Sequence, residues 1–316
     1  MSLRLIHAAL SDVGRQREQN EDNLYRQVYP ERPTSGLFIV SDGMGGYHAG
    51  EVASQLAVDT IKDRLLPLIG PAILQPTVRL APRRGKRGKV ERDDPAKTRP
   101  LNASDEADAE ATDATKAQSS AQARDPSETQ QLSETIVFEH YADRLKAAVE
   151  DSSKVVVEYG LKHNEARGLG ATVTAALIVD GTAYIANVGD SRTYLLRNGA
   201  LERITTDHSL VERLVQAGQI DREDVYDHPS RNLIYRSLGA GHAEVDVDIF
   251  DVPLQPGDVL LLCTDGLWEM VHDPQLASIL GEDPDLDAVC HMLIDKANDN
   301  GGEDNITALL VRCLEA

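Results

Sequence analysis

Aspartate recurs in this chain where an apolar run stops. LFIVSDG carries Asp42, AYIANVGDS carries Asp190 and VLLLCTDG carries Asp265, while Asp304 stands just ahead of ITALLV. Glu21 and Asp22 close the polar stretch DVGRQREQNED. A single acid of this kind is ordinarily a turn residue, because Asp-Gly suits tight turns. Several acids at strand ends are different, since the ends of paired strands gather along one sheet edge and their carboxylates converge. Converging carboxylates repel one another and hold protons unless cations lie between them. All-oxygen donors suit hard divalent ions, with Mg2+ and Mn2+ the leading choices. Gly43, directly after Asp42, fits the same chemistry: a backbone carbonyl can ligate a cation only where no side chain intrudes.

Composition supports a metal-using rather than a polyanion-binding protein. The 316 residues hold 52 Asp and Glu against 32 Lys and Arg, a formal charge of -20. That excludes a cationic footprint for nucleic acid. A phosphate substrate would need recruited positive charge, which two divalent ions on an acidic face would provide. Cys263, Cys290 and Cys313 are odd in number, widely spaced and set in apolar runs, so they read as buried thiols in a reducing cytoplasm. The N-terminal MSLRLIHAALSD is too short in apolar residues for a secretory signal, and no apolar run reaches membrane-span length. A cytoplasmic location is therefore expected.

The elements that must position these acids follow from periodicity. GEVASQLAVDTIKDRLLPL sets Ala53, Ala57, Ile61, Leu65 and Leu68 on one stripe, and ETIVFEHYADRLKAAVEDSSKVVVEYGLKHN is a second helix. Between them, about residues 70–133 carry few large apolar residues and switch from basic (RLAPRRGKRGKVER) to acidic (SDEADAEATDAT), which predicts a disordered insertion. Asp180-Gly181 and Asn198-Gly199 each sit between β-rich runs and predict hairpins within an antiparallel meander; Pro256-Gly257 predicts another hairpin. Asp283 and Pro284 are the expected start of a late helix that Gly301-Gly302 stops. Strands joined by hairpins define an α+β fold with antiparallel sheets. The chain is expected to be one domain, 1–316, interrupted by the insertion.

Seven motifs, in order, carry a resemblance: DVGRQREQNED, SDGMGGYHAGEVAS, GLGATVTAALI, NVGDSRTYLLR, HPSRNLIYRSLG, CTDGLWEMV and GGEDNIT. Together they resemble the type 2C metal-dependent protein phosphatases, the PPM family, and its bacterial branch in particular. The resemblance implies a four-layer α-β-β-α sandwich with a binuclear metal centre at one edge. It implies that Asp42 bridges two ions, that Gly43 lends its carbonyl, that Glu21 ligates one ion and that Asp265 and Asp304 ligate the other. Asp190, with Asp265, matches a weaker third site; Asp22 and Asn305 match supporting positions behind the ligands; Arg17 matches the clamp on phosphate. Residues 205–232 resemble a mobile flap. The implied reaction is hydrolysis of phosphoserine or phosphothreonine by direct attack of a metal-bridging hydroxide, with no covalent intermediate. Phosphoproteins, an opposing Ser/Thr kinase and a monomeric state complete the expectation.

One departure concerns the leaving group. Eukaryotic relatives place a histidine directly after the Asp-Gly pair, and many bacterial ones place it after GMGG. Here those positions are Met44 and Tyr47, and the nearest histidine is His48. A metal-bound water is the expected acid, with His48 the alternative. Two rival readings are weaker. GMGGYH is a poor dinucleotide fingerprint, since its third glycine is His48 and hairpins follow it. A pseudophosphatase, the same fold acting as a binding module, would ordinarily have lost ligands, and every matched position here is acidic.

Overall fold

In the computed structural model, residues 3–46, 48–69 and 126–316 are described, with side chains from 141 onward in the last stretch. Contacts divide the chain into two units, Met1–Gln75 with Glu134–Ala316 and, separately, Pro76–Ser133; the fold given below is that of the first. Most of the expected insertion, residues 70–125, lies outside the described residues, and the second helix begins at Pro126.

Two five-stranded antiparallel sheets form the centre. The first runs in the order β1 (Leu3–Asp12), β13 (Ile306–Glu315), β12 (Val259–Cys263), β8 (Arg192–Arg197) and β9 (Ala200–Arg203). The second runs β11 (Asp248–Pro253), β7 (Thr182–Val188), β6 (Val173–Val179), β3 (Arg32–Ser41) and β2 (Asn23–Tyr29). A small third sheet joins β10 (Leu238–Gly239), β5 (Gly170–Ala171) and β4 (Gly43–Met44). Helices α1 (Ala49–Ile69) and α2 (Pro126–Lys162) belong to the second sheet's side. Helices α5 (Asp273–Glu282) and α6 (Leu286–Asp299) cover the first sheet. Short helices α3 (Leu210–Gln216) and α4 (Asp265–Trp268) lie near the strand ends.

Side-chain alternation explains the unbroken apolar strands. In β3, Leu37 and Ile39 pack with Ile61, Leu65 and Val149 of the helix layer, while Phe38 and Val40 enter the layer between the sheets with Leu260 and Leu309. In β12, Leu261 and Cys263 meet Val289 and Leu293 of α6, and Leu260 and Leu262 face the second sheet. A strand buried on both faces has no polar face to show, so its sequence loses the alternation of a surface strand. The first polar residue marks where the strand leaves the sandwich. The expected α-β-β-α layering is the observed one.

Three connections differ from expectation. Asp180-Gly181 and Asn198-Gly199 do turn hairpins, β6 to β7 and β8 to β9, with φ values of 47° and 87°, and 52° and 79°. The strands between them are not one meander, because β7 and β8 lie in different sheets. The chain crosses at Gly189, whose φ is 107° and whose absent Cβ would sit 2.6 Å from the Thr172 side chain. Pro256-Gly257 likewise joins different sheets rather than a hairpin: β11 takes an edge beside β7, and β12 takes a central place between β13 and β8. A fully apolar VLLLC segment needs that central place. Helix α6 is capped by Asp285, whose side chain accepts from the Asp287 N–H, and Asp283 instead ends α5.

Candidate active site

Register brings the acids to one rim. Cys263 of β12 pairs with both Ala308 of β13 and Arg192 of β8. Asp265, Asp304 and Asp190 therefore leave the first sheet at the same end. In the second sheet Ser41 pairs with Asn23, which puts Asp42 and Asp22 side by side at the matching end. The resulting cleft, about 250 Å³, is lined by Arg17, Glu21, Asp42, Gly43, Met44, Gly45, Asp190, Asn232, Ile234, Asp265, Asp304 and Asn305.

The loop carrying Arg17 and Glu21 has no regular structure; the Arg15 and Gln16 N–H groups donate to the Gly302 carbonyl, and one side chain, Asn305, ties its two ends. Asn305 donates from Nδ2 to the carbonyls of Val13 (3.0 Å) and Gln19 (2.8 Å), and its Oδ1 accepts the Glu21 N–H at 2.8 Å. Gly14, at φ 79°, lies so close to the Asp304 carbonyl that a Cβ would come within 2.2 Å of it. Glycine is also required where α1 begins. A Cβ on Gly50 would meet the Glu21 carboxylate at 2.6 Å, and one on Gly43 would meet the Gly50 carbonyl at 2.0 Å. The bare backbone after Asp42 lets the helix start rest on Glu21, whose carboxylate accepts backbone hydrogen bonds there. A helix N-terminus favours a carboxylate in that place.

The electrostatics are those of crowded, buried acids. Burial raises Asp42 well above the ordinary carboxylate range, and the charges of Asp265, Asp22, Asp190 and Asp304 raise it further. Asp265 is raised in the same way, by burial and then by Asp190, Glu269, Asp304 and Asp22. Burial pushes Asp190 up to about 7, with Asp207 adding to the effect. Burial also brings Asp22 to about 7, against the pull of the Thr307 and Thr264 hydroxyls, which donate to its Oδ2 at 2.6 and 2.9 Å. Glu21 is raised mainly by burial, with Arg17 opposing. The one guanidinium in the cleft belongs to Arg17, which donates to Asp304 Oδ2 at 2.5 Å.

The donor set fits hard cations. Every charged donor is an oxygen, and the Oδ1 atoms of Asp265 and Asp22 are buried without a hydrogen-bond partner. Such orphaned oxygens are costly unless a cation or water satisfies them. Among the described residues no three of these groups already close on a common point.

The structure thus brings eight sequence-predicted residues to the cleft wall: Arg17, Glu21, Asp42, Gly43, Asp190, Asp265, Asp304 and Asn305. Asp22 lies behind the wall, clamped between Thr264 and Thr307. His48 does not line the cleft. It adopts φ 65°, is 62% exposed, and faces Gln19 (3.2 Å) and Glu51 (3.8 Å). Tyr47 lies outside the described residues. Ser191 is buried and shares a 2.7 Å hydrogen bond with Thr172, and burial raises the Cys263 thiol, so neither is poised as a nucleophile.

Sequence reasoning did not find Asn232 and Ile234, which complete the wall from the 205–232 side. Their segment is anchored by Arg231, which donates to Glu269 (3.1 Å) and Glu303 (2.9 Å), next to the helix that opens with Asp265 and next to Asp304. It also missed Gly50 and the buried pair of Arg192 with Asp207, bonded at 2.6 Å. Of these, only Arg192 had a sequence signal, a buried-strand arginine two residues after Asp190 and ahead of the apolar Tyr194, Leu195 and Leu196.

The chain belongs to the protein phosphatase 2C family: the family description "Protein phosphatase 2C" matches residues 102–306. It is therefore a metal-dependent protein phosphatase, a hydrolase. The serine/threonine phosphatase stp of Listeria monocytogenes is 35% identical over 307 residues, covering 97% of this chain and 95% of its own, and so includes the N-terminal acids that precede the family match. The fold is similar to that of the Mycobacterium tuberculosis serine/threonine phosphatase PstP/Ppp, with a TM-score of 0.69, 29% identity and 99% of both chains covered. It is also similar to the catalytic domain of PstP in complex with two manganese ions, with a TM-score of 0.68, 27% identity, and 99% and 100% of the two chains covered. No helix among the described residues is long and apolar enough to cross a membrane.

Proposed function

We propose that this phosphatase hydrolyses phosphoserine and phosphothreonine on phosphoproteins, using two divalent ions, Mg2+ or Mn2+, and a weaker third. The observation that carries the reading is the convergence of Glu21, Asp42, Asp190, Asp265 and Asp304 on one cleft that holds a single guanidinium. Alone, such a cleft would repel a phosphate dianion. In this reading Glu21, the Gly43 carbonyl and Asp42 would hold one ion, and Asp42 with Asp265 and Asp304 would hold the other. Asp190 and Asp265 serve the third. Ions bound there supply an activated water and neutralise charge on the phosphoryl oxygens.

The remaining work falls to the chain. Asp22, with its free Oδ1 behind Asp42, orients water at the rim. Arg17, half-exposed and bound only at Nη2, turns its planar fork from Asp304 to two phosphoryl oxygens. Asn305 keeps Arg17 and Glu21 in register with Asp304 by fixing their loop. Exposed and outside the wall, His48 is given no step. The enzyme is expected to act as a cytoplasmic monomer against a Ser/Thr kinase.

The test uses the full chain with p-nitrophenyl phosphate and a phosphothreonine peptide, with Mn2+ or Mg2+ and then with chelator, beside calorimetric titration of the metal-free protein. Turnover dependent on the ion and two tight sites are expected. Turnover indifferent to chelator, or no ion binding, would refute the reading.

A further inference from the structure

Gly189 and Asp190 carry the chain from β7 of the second sheet to β8 of the first, and Gly189 does so at φ 107°. A residue without a Cβ has many conformations open to it, so the direction in which Asp190 leaves depends on what grips the Gly189 peptide. The Asp190 carbonyl is held separately, by Trp268 Nε1 at 3.0 Å. At Gly189 the grip comes from His208. In the β8–β9 hairpin Arg197 pairs with Ala200 and Tyr194 with Arg203. Beyond it the Ile204 N–H donates to the Thr193 carbonyl at 2.9 Å, and the same register carried further sets His208 opposite Gly189.

Two residues opposed in this way ordinarily exchange both of their backbone N–H to carbonyl bonds. Here one bond is of that kind: the His208 N–H donates to the Gly189 carbonyl at 2.8 Å. The return bond is made by a side chain, the Gly189 N–H donating to His208 Nδ1 at 3.0 Å. The His208 carbonyl is thereby released. It accepts the Tyr235 N–H at 2.9 Å, from the end of the segment whose Asn232 and Ile234 wall the cleft. Because Nδ1 accepts, the proton of this buried ring sits on Nε2, which lies 3.2 Å from Asp248 Oδ2. Arg236 Nη1, 2.8 Å from Nε2, donates to Asp248 Oδ1 at 2.8 Å.

We propose that His208 is a positioning residue for Asp190. Its imidazole stands in for its own carbonyl and fastens the peptide that aims this carboxylate at the cleft, while the freed carbonyl fastens the cleft wall to the same point. The inference rests on the functional reading above, in which Asp190 serves the weaker ion. What the role requires is an acceptor at the place of Nδ1. Asparagine offers one at the same remove from the backbone. Glutamine is one carbon longer, and its amide falls nearer the place of Nε2.

Calorimetric titration of the metal-free full chain with Mn2+ tests this without turnover. His208→Gln should weaken the weakest site by about tenfold and leave the two tight sites within about twofold, the usual scale for a group behind a metal ligand. His208→Asn should keep the weakest site within about threefold of wild type, by restoring the acceptor. A residue that only supported the fold would lower the melting temperature in both variants and move no site selectively. Asp248→Ala gives a second route that leaves His208 in place. Without that carboxylate Arg236 becomes the donor to Nε2, the ring proton moves to Nδ1 against the Gly189 N–H, and the weakest site should again weaken. The change of tautomer is read from the imidazole 15N shifts. Equal affinity for the weakest ion in wild type, His208→Gln and Asp248→Ala overturns the proposal, as does an asparagine variant as impaired as the glutamine one. Should His208→Gln not fold, Asp248→Ala decides alone. Wild type that binds two ions and never a third overturns the role of His208 and leaves the two-ion reading standing; wild type that binds none overturns both.

Discussion

Two clusters of buried acids lie within a few residues of each other and are built on opposite terms. In one, Asp207 receives Arg192 at 2.6 Å and Arg203 at 3.1 Å, and Arg203 also reaches Glu212 at 2.8 Å. Arg192 further donates to the Tyr194 hydroxyl at 2.8 Å and lies 3.4 Å from the Trp268 ring centroid. In the other, Asp42, Asp22, Asp190 and Asp265 share the cleft region with no ion pair to any of them among the described residues; burial raises them all, and neighbouring carboxylates add to it, Asp265 and Asp190 at Asp42 and Asp207 at Asp190, where Arg192 opposes. Asp190 and Arg192 are two residues apart on the same strand end, and Trp268 links the clusters by donating from Nε1 to the Asp190 carbonyl at 3.0 Å. The chain neutralises the first cluster itself and leaves the second for ions from solution. The compensated cluster holds the geometry that the uncompensated one uses.

The largest effect that would sharpen this contrast is on turnover. Asp42→Asn should lower kcat on the order of a thousandfold, by removing several kcal/mol of charge stabilisation. Its melting temperature in chelator should hold or rise, because one of the crowded acids, with its burial cost and its repulsion of Asp265, is gone. A thermal melt that fell as far as in the next variant would erase the distinction.

Asp207→Asn should do the reverse. It orphans Arg192, and breaking one partner of a buried pair costs about 3–5 kcal/mol. A drop in melting temperature of about 10 °C is expected at a domain of this size, with or without Mn2+. Little change would mean that the network is not what braces Asp190.

The smallest effect is the response to pH. Asp22 and Asp190 are raised to about 7, so the folded chain holds protons that the unfolded chain releases near pH 4. Where the folded state binds more protons, stability falls as pH rises. In chelator the melting temperature should therefore decline from pH 4 to pH 7, by a penalty on the order of a few kcal/mol. Mn2+ should restore more at pH 7.5 than at pH 5. A melting temperature flat or rising with pH in chelator would show that the rim acids are compensated after all.

Much of this was legible in the sequence, for a physical reason. A strand buried on both faces is apolar throughout, so its end is sharp, and LFIVSD and VLLLCTD each announce where a carboxylate leaves the sandwich. Asp180-Gly181 and Asn198-Gly199 were equally readable, because positive φ at two successive residues restricts the choice of residue types. Pairing was not readable. Pro256-Gly257 has the local chemistry of a hairpin, yet its strands belong to different sheets, and only competition for the central position of the first sheet decides that. The same holds for Arg231 and Asn232, whose partners at Glu269, Glu303 and the cleft are distant in sequence. His48 was misleading because its spacing resembles a motif while its turn aims it at Gln19 and Glu51.

Helix α1 starts against the Glu21 carboxylate and runs 21 residues to Ile69. At 1.5 Å per residue it carries the chain about 30 Å from the cleft before residue 70 is reached. Its far end is fastened to a different layer: Ile69 packs with Leu145 and Val149 of the helix layer, so one helix ties the carboxylate rim to the outer core.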